Sequence, residues 1–218
     1  MIRIKENIFK SNDGYAAEIR QQLDENHVFS INIMASPGAG KTSLIEHTIT
    51  NLSKQHSIAV IDGDIATSID ADRASAAGAK AFQINTDGAC HLDAKMISDK
   101  LVELDLKSVD FLIIENVGNL VCPASFKLGT HKNILIASIP EGDDKPYKYP
   151  GIYRGVDILI INKIDLLPYV PFNMDYFLTG IQALNPGVII FKISCQTGDG
   201  LLNWFDWVDN QFSKNFVL

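Results

Sequence analysis

The chain has 218 residues, enough for one α/β domain with a full core and short for two. Apolar residues make up 46% and charged residues 21%, ordinary values for a soluble globular protein. The formal charge of −7, with no visible cluster of Lys and Arg, excludes a broad nucleic-acid-binding face. A local nest of backbone N–H groups can still hold a phosphate in an acidic protein.

The N-terminus lacks an apolar signal-peptide core, and the longest apolar runs are strand-sized, so no membrane span and a cytoplasmic location are expected. Residues 1–28 carry Ala17, Ile19 and Leu23 among many charges. They read as a helical segment packed onto a main domain of residues 29–218. Strands are predicted near Ser30–Ala35, Ser57–Asp62, Lys80–Asn85, Asp110–Glu115, Asn133–Ile139, Val156–Asn162 and Val188–Ser194. Most are nearly continuous in Ile, Val, Leu and Phe, which suits parallel strands covered on both faces. Helices are predicted over Lys41–Leu52, His91–Leu104, Asn173–Leu184 and Asp199–Phe212. The second turns Leu92, Met96, Ile97 and Leu101 to one face. The last turns Leu202, Phe205 and either Trp204 or Val208 inward. Strand–helix alternation at this length predicts an α/β fold: a doubly wound, mostly parallel sheet of about seven strands with helices on both faces. Ligands of such sheets sit at the carboxyl ends of the strands.

The first strand runs into Ala35-Ser36-Pro37-Gly38-Ala39-Gly40-Lys41-Thr42-Ser43 and then a helix. This is the G-x-x-x-x-G-K-[ST] phosphate loop with Ala in place of the first Gly. Gly38 and Gly40 let backbone amides turn toward an anion, with Pro37, Ala39 and Ser43 completing the nucleotide-binding loop. Lys41 brings a cation to the β- and γ-phosphates, the Thr42 hydroxyl ligates Mg²⁺, and the helix N-terminus adds its dipole. The next strand ends in Asp62-Gly63-Asp64, followed by Asp70 and Arg73. Asp64 and Asp70 are candidates for Mg²⁺ coordination or for positioning the attacking water, and the residue types do not choose between the two.

Cys90-His91 follows the third strand, and Cys122 follows the fourth. Two thiolates and an imidazole suit Ni²⁺ or Zn²⁺. The residue types leave open a purely structural role, which is the commoner fate of free cysteines. Adjacent ligands strain a closed tetrahedral site, so completion by water or by a second subunit is the natural form. The fourth strand ends in Glu115-Asn116-Val117-Gly118, which has the shape of D-x-x-G with Glu for Asp. Glu115 is a candidate for the Mg²⁺ shell, and the Gly118 amide for sensing a γ-phosphate. Lys41, Asp64, Asp70 and Glu115 form the candidate catalytic set. No Gln placed to orient water and no arginine finger stands out, so slow intrinsic turnover is expected.

Asn162-Lys163-Ile164-Asp165 closes an apolar strand in the N-K-x-D pattern. Asp165 would accept hydrogen bonds from N1–H and the 2-amino group of guanine. Adenine would leave that carboxylate unpaired, at a cost of about 1–3 kcal/mol or more. Lys163 would lie along the base, and Asn162 would tie the loop. Ser194-Cys195-Gln196 resembles the S-A-K loop that closes over guanine through a backbone amide. Cys195 is read there as a small buried residue rather than a metal ligand.

Three segments together resemble the HypB family of GTPases for hydrogenase nickel incorporation, within the SIMIBI class of P-loop proteins. They are Cys90-His91-Leu92-Asp93-Ala94, the run from Glu115 to Phe126, and the run from Glu141 to Pro150. The likeness extends from about Asn32 to the C-terminal helix. The urease accessory UreG family is similar in phosphate loop and base motif, but carries Cys-Pro-His where Cys122 is followed by Pro123-Ala124. The resemblance implies GTP and GDP as ligands and a homodimer when GTP is bound. It implies a Ni²⁺/Zn²⁺ site of Cys90, His91 and Cys122, and Lys148 reaching the neighbouring subunit's nucleotide. It also implies nickel delivery to the large subunit of [NiFe]-hydrogenase with a HypA-type metallochaperone. Residues 1–30 contain no Cys and one His, His27, so the nickel-storage tract of some members is not expected. A urease-type insertion GTPase, an ATP-binding P-loop enzyme, and a nucleotide-gated interaction module with structural cysteines are the alternatives.

Overall fold

The computed structural model describes residues 2–64 and 69–215, with side chains from 9 to 64 and from 69 to 212. Met1, residues 65–68 and residues 216–218, which belong to the expected N-terminal segment, the stretch after Asp64 and the end of the expected main domain, lie outside the described residues. Seven strands are described: β1 Phe29–Ala35, β2 Ile58–Asp64, β3 Lys80–Asn85, β4 Phe111–Glu115, β5 Lys132–Ser138, β6 Ile158–Asn162 and β7 Ile189–Lys192. They form one sheet in the order β3-β2-β4-β1-β5-β6-β7, with every pair parallel. The helices are α1 Ile2–Glu25, α2 Lys41–Leu52, α3 Ile69–Ala77, α4 Ala94–Leu101, α5 Lys145–Lys148, α6 Pro150–Arg154, α7 Met174–Leu184 and α8 Leu201–Asn215.

The parallel sheet follows from strand composition. β1, β4 and β6 are buried at every position, so both faces must be covered. Successive side chains point to opposite faces. Ile31 and Ile33 meet Leu44, Ile45 and Ile49 of α2 and Trp204, Phe205 and Val208 of α8. On the other face, Leu112 and Ile114 meet Ile19 and Leu23 of α1 and Ile97 and Leu101 of α4. Leu135, Leu159 and Ile161 meet Tyr153 of α6 and Phe177 and Ile181 of α7. In α8 the Trp204 indole N–H donates to Thr48 Oγ1 at 2.9 Å, so its buried polar atom is satisfied. The helix α1 buries Asn12, Ala16, Ile19 and Leu23 along one stripe. Close approach of α1 to the loop before β5 needs Gly129: its φ is +81°, and a Cβ there would lie 2.5 Å from the Ala16 carbonyl oxygen.

Two expectations need correction. The predicted helix over His91–Leu104 is the shorter Ala94–Leu101, because Asp93 caps it by accepting from Met96 N at 2.8 Å. Cys90 and His91 therefore sit in the turn before the helix. In α8 the inward stripe is Leu201, Trp204, Phe205 and Val208, whereas Leu202 is 70% exposed. The helical period makes 201, 204, 205 and 208 one face and turns 202 away from it.

Candidate functional site

The carboxyl edge of the sheet collects the candidate residues. Ser36–Gly40 turns from β1 into α2, with Gly38 at φ +75° and Gly40 at φ +103°. A Cβ at Gly40 would lie 2.3 Å from Asn162 Nδ2, so the turn requires glycine twice over, by φ and by space. Ser36 donates to Glu141, whose second oxygen accepts from Ser138 N and Ser138 Oγ at 2.7 Å each. The phosphate loop is thereby tied to the end of β5. A cleft of about 510 Å³ opens beside it, lined by Pro37, Gly38 and Gly40–Ser43, with Asp64, Asp70, Glu115 and Gly118. Ala39 faces the core instead, fully buried.

The sheet register sets Asp62 of β2 directly beside Glu115 of β4. Asp62, Asp70 and Glu115 bring carboxylate oxygens within 4.8 Å of one another. Asp64 lines the same cleft two residues further along β2, outside this cluster. Burial pushes Glu115 up to about 8; Lys41 opposes the rise, Asp62 and Asp70 add to it, and the hydrogen bond from Thr42 opposes it. Burial also pushes Asp62 up to about 7, helped by Asp70 and Asp64 and opposed by Lys41. Thr42 Oγ1 donates to Glu115 Oε1 at 3.0 Å. Asp62 Oδ2 is buried and has no hydrogen-bond partner among the described residues. Three carboxylates gathered within 4.8 Å, one with a buried oxygen that has no partner among the described residues, fit a cation. Asp62 was absent from the sequence candidates, although the pairing of two apolar strands that each end in an acid pointed to it. Arg73 of α3 also lines the cleft, held by Glu46 through Nε at 2.8 Å and Nη2 at 2.6 Å, with Asp70 at 3.5 Å from Nη1.

A second cavity of about 410 Å³ adjoins the first through Gly40, Ser43 and Lys163, and is also lined by Asn162, Asp165 and Cys195. Asn162 Nδ2 donates to Ala39 O at 2.9 Å, while its Oδ1 accepts from Lys163 N at 2.8 Å and Cys195 N at 3.3 Å. One buried amide thus joins the phosphate loop, the N-K-x-D turn and the loop after β7. Lys163 takes a left-handed backbone, φ +62°, and its Nζ donates to Gly38 O at 2.7 Å. Asp165 Oδ1 accepts from Ser194 Oγ at 2.6 Å. Burial pushes the Cys195 thiol up to about 11.

Cys90, His91 and Cys122 bring their donor atoms within 4.8 Å of one another. The sulfurs of Cys90 and Cys122 are 2.8 Å apart, and Cys90 Sγ is 3.8 Å from His91 Nδ1. The His91 ring stacks on Phe126, centroids 4.0 Å apart at 28°. Burial holds His91 below its ordinary value and so favours the neutral, ligating imidazole. Lys148 does not join the cleft of its own chain: it pairs with Asp144 on the exposed side of α5. Among the described residues, no helix is long and apolar enough to cross a membrane.

A family model described as the CobW/HypB/UreG nucleotide-binding domain matches residues 29–192. The hydrogenase maturation factor HypB of Azotobacter vinelandii is 43% identical over 211 residues, covering 97% of this chain and 70% of that protein. A crystal structure of HypB from Helicobacter pylori in complex with nickel superposes with a TM-score of 0.88 at 39% identity, over 95% of this chain and 98% of that one. HypB from Archaeoglobus fulgidus gives 0.87 at 35% identity, over 93% and 99%. The chain belongs to the CobW/HypB/UreG family, and within it to the HypB maturation factors.

Proposed function

We propose that this chain is a Mg²⁺-dependent, slowly hydrolysing GTPase of the cytoplasm that couples its nucleotide state to nickel delivery in [NiFe]-hydrogenase maturation. One observation carries the coupling. Asn116, buried just past Glu115, accepts with a single Oδ1 from Leu92 N at 3.1 Å and from Val117 N at 3.0 Å. Its amide donates to Asn32 Oδ1 of β1 at 3.2 Å. The residue after His91 and the residue before Gly118 therefore hang on one side chain. Movement of the 115–118 segment on nucleotide exchange would be felt at the cysteine–histidine cluster.

The parts divide as follows. The loop of 37–43 cradles phosphates and Lys41 meets the β,γ-oxygens. Thr42, Asp62, Asp70 and Glu115 are the residues that would hold Mg²⁺, with Asp64 within reach of the same cleft. Bound there, the ion neutralises charge on the β- and γ-phosphates. Asp62 and Glu115 would serve it as carboxylates. Asp165 reads guanine, while Asn162, Lys163, Ser194 and Cys195 hold and wall the base cavity. Cys90, His91 and Cys122 take Ni²⁺ or Zn²⁺ as cargo. A second copy of the chain, facing this one when GTP is bound, would supply Lys148. A HypA-type chaperone and the hydrogenase large subunit are the exchange partners implied by the family. The name of the Azotobacter vinelandii relative, a hydrogenase maturation factor, supports the hydrogenase assignment.

Competition against a fluorescent guanine nucleotide tests the reading. GTP and GDP should displace it at least about 100-fold more effectively than ATP, because adenine offers Asp165 neither the N1–H nor the 2-amino donor of guanine. Displacement by ATP at comparable concentration would overturn the guanine assignment.

A further inference from the structure

The cysteine–histidine cluster is assembled from two segments that are distant in the chain. Cys90 and His91 follow β3, and Cys122 lies 32 residues beyond Cys90, after β4. Cys90 and His91 sit in an irregular turn, and Cys122 opens a single short 3-10 turn, Cys122–Ser125. Their relative position depends on cross-links, and one of these comes from outside both loops. Asn12 of α1 is 7% exposed. Its Oδ1 accepts from Ala94 N at 2.9 Å, three residues beyond His91. Its Nδ2 donates to Lys127 O at 2.9 Å, beside the Phe126 ring that stacks on His91. Only this orientation of the amide satisfies both neighbours. Phe9, one turn earlier in α1, packs on the same Phe126, their ring centroids 5.3 Å apart.

We propose that Asn12 is a positioning residue for the metal cargo: with Phe9 it splints the Cys90–His91 and Cys122–Phe126 segments into ligating geometry from the N-terminal helix. Asn12 touches neither metal nor nucleotide. It removes freedom that the loops would otherwise lose on binding, which is how groups behind the ligands govern metal affinity. α1 thereby becomes part of the metal site although none of its described side chains belongs to the ligand cluster. The proposal rests on Cys90, His91 and Cys122 holding the cation.

The test uses the full chain with Ni²⁺ as probe, read by competition with a chromophoric chelator and by the thiolate-to-nickel absorption band. Asn12→Ala should weaken Ni²⁺ binding about 10–100-fold, the usual cost of losing a partner behind the ligands, and should alter the band. GDP affinity should stay within about twofold. Asn12→Asp keeps the acceptor for Ala94 N but sets a carboxylate oxygen against Lys127 O, so it should weaken Ni²⁺ binding at least as much as Asn12→Ala. Phe9→Ala, at a half-exposed position, should weaken binding in the same direction and decides the matter if Asn12 variants do not fold. Cys122→Ala separates the two levels of the argument. Loss of Ni²⁺ in Cys122→Ala with parental affinity and band in the folded Asn12 variants, or in Phe9→Ala where these do not fold, would overturn the splint. Retention of Ni²⁺ in Cys122→Ala would overturn the metal site itself.

Discussion

Nδ1 of His131 accepts the backbone N–H of Ser30 at 3.0 Å and lies 2.7 Å from the Ser30 hydroxyl. A backbone N–H can only donate, so the imidazole is neutral with its proton on Nε2, which meets Asp24 Oδ1 at 2.8 Å. Burial lowers the His131 pKa, with Arg20 and Lys132 acting the same way and Asp24 opposing them. The unfolded chain therefore binds more protons than the native one just below the ordinary imidazole value. Stability is present above that value and falls as pH drops through it, until native His131 is itself protonated. Thermal unfolding between pH 7.5 and pH 5 should show a shallower loss in His131→Gln than in the parent; identical slopes would contradict the assignment. Single residues were also where the sequence was hardest to read. Asp62 and Asp64 have the same chemistry and parity on β2, and only the register against Glu115 shows which one joins the acidic cluster. Asn12 carries no motif at all, because its role lies in two backbone groups far away in the chain.

At the scale of elements, the helix over Lys41–Leu52 was legible to the residue, since a glycine turn, a Lys-Thr start and an apolar stripe agree. The strands were legible within about two residues because their apolar runs end at polar groups that face the site. The helix α3 was not. Its sequence is rich in Ala with early acids, and only Ala71 and Ala74 are buried, so no apolar period announces it. The short helices α5 and α6 hide among Pro and Gly for the same reason. The packing of α1 is an element-scale property and rests on Gly129. Gly129→Ala would force a Cβ against the Ala16 carbonyl in a left-handed backbone. It should cost more than about 1 kcal/mol, lowering Tm by about 2–4 °C per kcal/mol, with guanine nucleotide affinity kept. An unchanged Tm would show that α1 does not pack as described.

For the whole molecule, the two clefts and the cysteine–histidine cluster share one edge of one sheet, and Asn116 and Asn162 are among the side chains that link them. Asn162 joins the base side to the phosphate loop, and Asn116 joins the 115–118 segment to the turn behind His91. On the proposed function, nucleotide and metal would be two ligands of one coupled body, and linkage would then work in both directions. The measurement that tests it most directly is Ni²⁺ affinity with GDP and Mg²⁺ against affinity with a non-hydrolysable GTP analogue and Mg²⁺. A difference of about 5–150-fold, mirrored by an equal change in nucleotide affinity when Ni²⁺ is bound, is the result expected for such coupling. Equal Ni²⁺ affinities in the two nucleotide states would contradict it.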